Sequence, residues 1–207
     1  VLSYTIYEAY PVITRNARFT QKGTEKIVLE RALSMSMEFG DMDFEMVHLA
    51  GAWARERYVK TRKLEMGIQS IQNLHGTGSS AEHNPFLALK RPHTTESQGE
   101  VYGFSLVYSG NFLAQTEVTT FDLTRVTMGI HPEGFSWELN QGETFQTPEV
   151  VMVYSDQGLN KMSQVYHRLY RTRLMRGYWR DKARPILLNN WEATYFDFNE
   201  EKILNIA

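Results

Sequence analysis

Apolar and polar residues alternate in short segments from residue 4 to about residue 153. Alternation at every second position is typical of strands with one buried face, and Gly, Asn, Pro and Asp separate the segments as turn residues do. The predicted strands are Thr5–Tyr7, Ile27–Met37, Phe44–Leu49, Tyr58–Met66, Glu100–Tyr108, Phe112–Val118, Thr124–Ile130, Phe135–Leu139 and Val150–Val153. So many strands in this length predict a large antiparallel sandwich, since two sheets can then bury a shared core.

Three connections in this region carry predictions of their own. Residues 109–111 read Ser-Gly-Asn between two alternating segments, which predicts a hairpin turn. Residues 141–143 read Gln-Gly-Glu and predict another turn. The stretch from His75 to Ser97 has no clean period and contains several Gly and Pro residues, so we predict a long loop. Loops of this length often contact ligands or partners, and an ordinary surface loop is the alternative.

The period changes to that of a helix near residue 155. Ser155 or Asp156 can accept the first free N–H groups of this helix, and Gly177 can end it. The apolar residues of the segment fall on one helical face: Leu159, Met162, Val165, Tyr166, Leu169 and Tyr170. A single helix packed by this face is therefore predicted.

The last twenty residues predict a different architecture. Residues 186–188 read Ile-Leu-Leu, which is typical of a strand that a parallel α/β sheet buries on both faces. Asn199 can cap a helix that begins with two acidic residues at positions 200 and 201. We therefore predict residues 1–154 as a β-sandwich, 155–184 as a linking helix and linker, and 185–207 as the first βα element of a truncated barrel.

Composition and charge exclude several classes of function. The 22 basic and 24 acidic residues nearly cancel, so no electrostatic case exists for a nucleic acid or an anionic membrane as partner. The basic segment Arg168–Arg184 is interpreted as a solvated helix face, with a phosphate-binding patch as the alternative. The chain has no cysteine, which excludes disulfides and thiolate zinc sites. No apolar run has the length that a membrane-spanning helix needs.

Few residues present a recognisable catalytic pattern. The six histidines show neither an i, i+4 pair nor a His-x-His spacing, so no metal site is predicted. Neither a glycine-rich phosphate loop nor a Gly-x-Ser-x-Gly elbow occurs. A pair of catalytic carboxylates cannot be selected by spacing, because the two partners usually come from different elements. No catalytic residue, metal or cofactor is therefore assigned.

Trp191 is the one candidate binding residue. It follows the predicted strand at the end where barrel folds place their sites, and an indole there can stack on the apolar face of a sugar ring. The alternative is a Trp that packs at the barrel rim. Glu192, Tyr195 and Asp197 follow it and are predicted to support or cap, with Asp197 as a routine helix cap.

Five segments give the chain a resemblance to a known family. They are Gly78–Phe86, Tyr102–Asn111, Val126–Leu139, Gly142–Val150 and Leu188–Phe198, the last containing Asn-Trp-Glu. In words and order they resemble the family 36 glycoside hydrolases, the microbial α-galactosidases or melibiases. Among these, the enzymes of lactic acid bacteria are expected to be most similar. One departure is at Ala81-Glu82, where the family often has a histidine.

The resemblance implies an N-terminal β-supersandwich, a catalytic (β/α)8 barrel and a C-terminal β domain. This chain matches most of the first domain, a linking helix and the first barrel strand. The two catalytic aspartates of the family lie in later barrel strands whose motifs are absent here, so no residue inherits a catalytic role. The tryptophan of the Asn-Trp-Glu word is an active-site wall in the family, which implies substrate contact for Trp191.

For the intact protein, the resemblance implies retaining hydrolysis of terminal α-galactosides of the melibiose or raffinose type, without a cofactor. It also implies a homo-oligomer, a tetramer in many members. A cytoplasmic location is expected, which the lack of cysteine allows. The alternatives are a related raffinose-type transglycosylase, and a non-catalytic β module for carbohydrate contact or oligomer assembly.

Overall fold

The chain divides into two units, Val1–Leu169 and Tyr170–Ala207, in a computed structural model that describes residues 1–76 and 81–207. The first unit contains strands and one long helix, and the second contains only helical segments. The predicted domain boundaries after residues 154 and 184 stay predictions.

Fourteen strands lie in the described part of the first unit. They are β1 (Leu2–Ile6), β2 (Val12–Thr20), β3 (Ile27–Leu29), β4 (Leu33–Phe39), β5 (Glu45–Ala52), β6 (Arg55–Lys63), β7 (Gly67–Asn73), β8 (His83–Lys90), β9 (Val101–Val107), β10 (Phe112–Val118), β11 (Thr124–Ile130), β12 (Trp137–Leu139), β13 (Thr144–Gln146) and β14 (Glu149–Ser155). Helix α1 (Gly158–Leu169) follows and continues as a π-helical turn, Tyr170–Leu174. Two short helices, α2 (Trp191–Thr194) and α3 (Glu200–Ile206), lie in the second unit.

The strands form two main sheets of unequal width. The larger sheet has the order β1-β2-β14-β9-β8-β5-β6, with β13 added to β2, and the smaller has the order β4-β11-β10-β7. A separate pair joins β12 to β3. The pairings between these strands are antiparallel. The predicted mainly-β antiparallel sandwich is confirmed.

The core lies between the two sheets. Each sheet contributes large side chains from every second residue of its strands, and most are 0–3% exposed. The larger sheet supplies Met46, Leu87, Leu89, Phe104, Leu106 and Val150, and the smaller supplies Met35, Ile71, Phe112, Val126 and Met128. Burial of each such side chain contributes about 1.5–3 kcal/mol to folding, so this interface dominates the stability of the unit.

Helix α1 covers the outer face of the larger sheet. The Tyr166 hydroxyl donates to the Val151 carbonyl of β14 at 3.0 Å, and the Tyr166 ring meets Phe86 of β8 edge to face at 5.9 Å. Met162 and Tyr166 lie so close to Gly103 of β9 that a Cβ atom there would be 2.7 Å from the Met162 sulfur. Gly103 is therefore the position at which the helix approaches the sheet.

The first N–H groups of α1 are satisfied by a neighbouring loop. The N–H groups of Gly158, Leu159 and Asn160 donate to the backbone carbonyls of Gly99, Thr95 and Glu96. Ser155, predicted as the acceptor for these groups, instead accepts from the N–H of Gln157, which precedes the helix. Four residues of the predicted apolar face, Met162, Val165, Tyr166 and Leu169, are buried, so the helical face was largely predicted correctly.

The predicted loop from His75 to Ser97 is wrong in its central part. Residues 83–90 form β8, a central strand whose Leu87 and Leu89 are fully buried. Pro85 misled the prediction, because proline rarely occurs inside a sheet. It precedes the ladder with β9, which begins at Phe86, and it lies beside a register shift in the pairing with β5. Proline is tolerated at such an irregularity, since no ladder hydrogen bond needs its missing N–H.

The hairpin predicted at residues 109–111 is also wrong. The turn exists, but β9 belongs to the larger sheet and β10 to the smaller, so the chain crosses between sheets at this point. Both edges of β9 are already occupied, by β14 and β8. Turn residues indicate a change of direction and do not indicate which strand becomes the neighbour. The second predicted turn is confirmed, with Gly142 at φ +82°.

Two further strand predictions need correction. The single strand predicted over residues 27–37 is two strands, β3 and β4, which pair with β12 and β11 respectively. The strand predicted over residues 58–66 is β6, shifted to residues 55–63, and every residue in it is exposed. It was predicted as half-buried, but it is the last strand of the larger sheet and extends beyond the smaller one.

The predicted barrel strand is not formed. Residues 183–190 have no strand structure, and Ile186 and Leu187 are exposed. A strand exists only through hydrogen bonds to a neighbour, and no strand in the described part of the chain pairs with this segment. The following helix is confirmed, since the Asn199 side chain accepts from the Lys202 N–H at 2.9 Å.

A buried histidine lies at the edge of the core. His48 of β5 points to the inner side of the larger sheet, and its Nε2 is 2.8 Å from a guanidinium nitrogen of Arg62 on β6. The ring of His83 lies 5.6 Å away. Burial, followed by the charges of Arg62, His83 and Lys60, lowers the pKa of His48 to about 4. The imidazole is therefore neutral in the folded protein and accepts a hydrogen bond from Arg62.

Gly103→Ala should destabilise the chain by about 1–3 kcal/mol, because the added methyl group overlaps Met162 and Tyr166 of α1. Urea unfolding at pH 7 measures the change. The control is Gly40→Ala, where no atom lies within 4 Å of the new Cβ, so the stability should change by less than about 0.5 kcal/mol. Equal effects of the two substitutions would show that the helix does not pack closely on β9.

The depressed pKa of His48 predicts a loss of stability in acid. Above pH 6.5 the imidazole is neutral in both states, so its contribution is complete. As pH falls toward 4, the unfolded chain binds a proton that the folded chain does not, and stability falls by at most about 3 kcal/mol. His48→Gln, which can still accept from Arg62, should show a smaller loss between pH 7 and 4.5. Parallel stability curves for the two proteins would contradict this assignment.

Candidate functional site

Trp191 is the first residue of α2 in the second unit. Its N–H donates to the Asn189 side-chain oxygen at 3.0 Å, which fixes the start of the helical turn. The sequence placed Trp191 at the end of a barrel strand, whereas the residues before it are not a strand. Its side chain is nevertheless 46% exposed, so a flat apolar surface is available for contact.

Two aromatic rings hold the indole in place. The Tyr195 ring lies 5.4 Å from it at 76°, and the Phe196 ring lies 5.0 Å from it at 89°. Perpendicular contacts of this kind fix the orientation of a ring without covering all of its surface. Phe196 was not predicted as part of the site, because a spacing of five residues matches neither helix nor strand. Tyr195 explains the proximity, since its φ of 48° turns the chain sharply after α2.

Polar side chains support this turn. The Asn190 amide donates to the Thr194 hydroxyl at 2.7 Å, and that hydroxyl donates to the Asn190 carbonyl at 3.2 Å. The Tyr195 hydroxyl donates to the Glu192 carboxylate at 3.4 Å. Supporting roles for Glu192 and Tyr195 stay predictions.

Asp197 was predicted to cap α3, but it does not. Its carboxylate lies 2.7 Å from the Lys202 ammonium, and Asn199 is the residue that accepts from the first turn of the helix. Both residues are polar and precede the helix, so the sequence alone did not decide between them. The ion pair is exposed and contributes little to stability.

The remaining site predictions stay predictions. No cluster of three metal-ligating side chains is present in residues 1–76 and 81–207. Within the same ranges, no helix has both the length and the apolar character that crossing a membrane requires. The segment in which Ala81-Glu82 departs from the family begins at residues 78–80, which lie outside the described residues.

The exposed indole of Trp191 can bind a ring by stacking. Glu192 and Asn190 are polar groups near it.

Comparison with protein families assigns both parts of the chain. Residues 1–140 match the glycosyl hydrolase family 36 N-terminal domain, and residues 144–207 match the melibiase family. The second match includes Trp191 and the aromatic cluster around it. The two matches adjoin, so nearly the whole chain is covered.

Individual relatives agree with this assignment. α-Galactosidase AgaA from Geobacillus stearothermophilus is 63% identical over 206 residues, which is 100% of this chain and 28% of the relative. α-Galactosidase Mel36A from Lactobacillus acidophilus is 50% identical over the same length. The expectation that lactic acid bacterial enzymes are most similar is therefore wrong. The chain spans 28% of the length of these relatives.

Solved structures extend the similarity to three dimensions. The crystal structure of Geobacillus stearothermophilus AgaA has a TM-score of 0.94 at 62% identity, and the match covers 99% of this chain and 28% of that one. Variants of AgaA have been solved with raffinose and with stachyose. The galactosidase domain of AgaSK, an α-galactosidase-sucrose kinase, also has a TM-score of 0.94, at 38% identity. The family matches, the relatives and the solved structures agree, and they show that the chain belongs to glycosyl hydrolase family 36.

Proposed function

We propose that the intact protein is an α-galactosidase that hydrolyses terminal α-galactosides with retention of configuration. The observation that carries this proposal is the match of 206 residues to α-galactosidases at up to 63% identity. In a retaining mechanism, one carboxylate forms a covalent glycosyl intermediate while a second protonates the leaving oxygen and then activates water. We place both carboxylates outside these 207 residues, in accordance with the resemblance.

The substrate class that we propose is the raffinose type. Raffinose and stachyose are the ligands in the solved complexes of AgaA variants, which are 62% identical to this chain. Trp191 is proposed to contact the sugar, since its indole is half exposed and held by two perpendicular rings. Stacking of an aromatic ring on the apolar face of a sugar suits this exposed surface.

The first unit is proposed as a structural and assembly module of this enzyme. A homo-oligomer, a tetramer by resemblance, and a cytoplasmic location belong to the same proposal. A raffinose-type transglycosylase is the related alternative, because the same covalent intermediate can be captured by a sugar hydroxyl instead of water. The ratio of hydrolysis to transfer products in the intact enzyme distinguishes the two.

The activity itself is tested with a chromogenic α-galactoside. The intact protein should hydrolyse p-nitrophenyl α-galactoside. The 207-residue chain should show no turnover, because both proposed catalytic carboxylates lie outside it. Nuclear magnetic resonance of the first product should show the α anomer. Turnover of a different glycoside alone would contradict the substrate class, and turnover by the 207-residue chain would contradict the placement of the carboxylates.

Trp191→Ala in the intact enzyme should lower kcat/KM for raffinose by roughly tenfold to a hundredfold, which corresponds to the loss of about 1–3 kcal/mol of stacking and burial. Trp191→Phe should lower kcat/KM less, because the phenyl ring preserves part of the stacking on the sugar. Trp179→Ala serves as the matched control, since Trp179 is a partly exposed tryptophan of the same unit outside the cluster. Equal effects at both positions would indicate a structural role for Trp191.

A further inference from the structure

Phe196 contacts the indole of Trp191 from a position five residues further along the chain. The two ring centroids lie 5.0 Å apart, and the ring planes meet at 89°. This is the one ring contact that Phe196 makes among the described residues, and the residue is otherwise 86% exposed. Burial in a core therefore does not explain where the Phe196 ring lies.

The backbone of Tyr195 brings this ring to the indole. Helix α2 ends at Tyr195, whose N–H donates to the Trp191 carbonyl at 2.9 Å. The φ of Tyr195 is 48° and its ψ is −120°, a combination that glycine adopts freely and other residues rarely adopt. Such a conformation costs free energy and persists only where neighbouring contacts maintain it, often at functional sites. This strained turn directs residue 196 back toward the indole.

The side chain of Tyr195 contacts the same indole. Its ring lies 5.4 Å from the indole at 76°, and its hydroxyl donates to the Glu192 carboxylate at 3.4 Å. Perpendicular aromatic pairs have a preferred geometry, because the positive edge of one ring meets the negative face of the other. Two such contacts, from Tyr195 and Phe196, restrict the rotation of the indole about its side-chain bonds.

A restricted indole is a better platform for a sugar than a mobile one. Each side chain that a ligand immobilises costs free energy on binding, and a side chain held in place beforehand avoids that cost. Trp191 is 46% exposed despite its two aromatic neighbours, so much of its surface stays available for stacking. The geometry therefore combines an accessible ring with a fixed plane.

The other tryptophan of the second unit has different neighbours. The Trp179 ring meets the ring of the adjacent Tyr178 at 88°. The Lys182 ammonium lies 3.8 Å from the Tyr178 centroid, over the ring. The Arg184 guanidinium carbon lies 5.8 Å from the centroid of Trp179. A cation over an aromatic face occupies the surface on which a sugar would stack. Among the described residues, no cation lies over Trp191.

We propose that Phe196 is a positioning residue, which through its perpendicular contact fixes the plane of the Trp191 indole on which the sugar stacks. The inference rests on the proposed function, in which Trp191 contacts the sugar. Phe196 acts through Trp191, and the strained backbone of Tyr195 is retained because it places the Phe196 ring against the indole.

Fluorine nuclear magnetic resonance tests the positioning without any assay of activity. The intact protein is labelled with fluorotryptophan, and Trp191→Phe identifies the Trp191 resonance by its loss. Phe196→Leu should shift and broaden that resonance, because the indole loses a ring that restrains it. Phe196→Tyr keeps the ring and should leave the resonance close to its original position.

Phe198→Leu is the matched control for this measurement. Phe198 is a partly exposed phenylalanine of the same unit, 57% exposed, and it makes no ring contact with Trp191 among the described residues. Its substitution should leave the Trp191 resonance unchanged. An unchanged resonance in Phe196→Leu, or an equal change in Phe198→Leu, would overturn the proposal.

Kinetics of the intact enzyme test the consequence for the sugar. Phe196→Leu should raise KM for raffinose about threefold to tenfold and change kcat by less than about twofold, because a stacking wall binds substrate and transition state alike. Phe196→Tyr should restore the original KM. In a Trp191→Ala background, Phe196→Leu should have no further effect on kcat/KM, since both changes act through one indole. An equal loss in both backgrounds would show that Phe196 acts independently of Trp191 and would overturn the proposal.

The same variants separate failure of this inference from failure of the proposed function. If Trp191→Ala leaves kcat/KM for raffinose unchanged, the proposed sugar contact is wrong and the inference falls with it. If Trp191→Ala lowers kcat/KM while Phe196→Leu changes neither KM nor the Trp191 resonance, the sugar contact stands and only the positioning role of Phe196 is wrong.

Discussion

Burial of apolar side chains between two twisted antiparallel sheets is the constraint on which the rest of the first unit depends. A slip of one residue in any strand would move its apolar set to the opposite face, so the core fixes the register of every strand that contributes to it. Phe104, Leu87 and Met46 illustrate this, since they come from three adjacent strands and occupy one continuous layer. The position of α1 follows, because the small Gly103 on the opposite face leaves room for Tyr166.

Polar contacts fix the connections at the ends of this core. Arg91 donates to both carboxylate oxygens of Asp41, at 2.6 and 3.1 Å, and its guanidinium lies 4.0 Å from the Phe44 ring. This hydrogen bonding lowers the pKa of Asp41 and raises that of Arg91. A third partner, Glu100, lies 3.3 Å from the Arg91 Nε. The loop that follows Arg91 supplies the carbonyl groups that accept from the first N–H groups of α1. The contacts of Arg91 therefore connect the core on the inner face of the larger sheet to the helix on its outer face.

The sequence predicted those strands and helices that have one buried face, because their apolar and polar residues alternate regularly. Strands β9, β10, β11 and β14 and helix α1 were predicted because apolar residues recur at their periods. Strand β8 was missed because it is central and buried on both faces, so that Leu87, Ala88 and Leu89 show no alternation. Partners of strands were not predictable, since residues 109–111 specify a turn but not a sheet. For the site, a family word identified Trp191, whereas Phe196 became visible only through the turn at Tyr195.

Under the proposed function, Trp191 contacts the sugar but does not perform the chemistry. Rate enhancement requires groups that interact more strongly with the transition state than with the substrate. In glycoside hydrolysis, positive charge develops on the sugar ring, and carboxylates supply that selective interaction. An uncharged indole binds the apolar face of a sugar in both states to a similar extent, so it changes affinity more than turnover. In the proposed enzyme, the exposed Trp191 cluster therefore holds the sugar, and the carboxylates proposed to lie outside these 207 residues perform the chemistry.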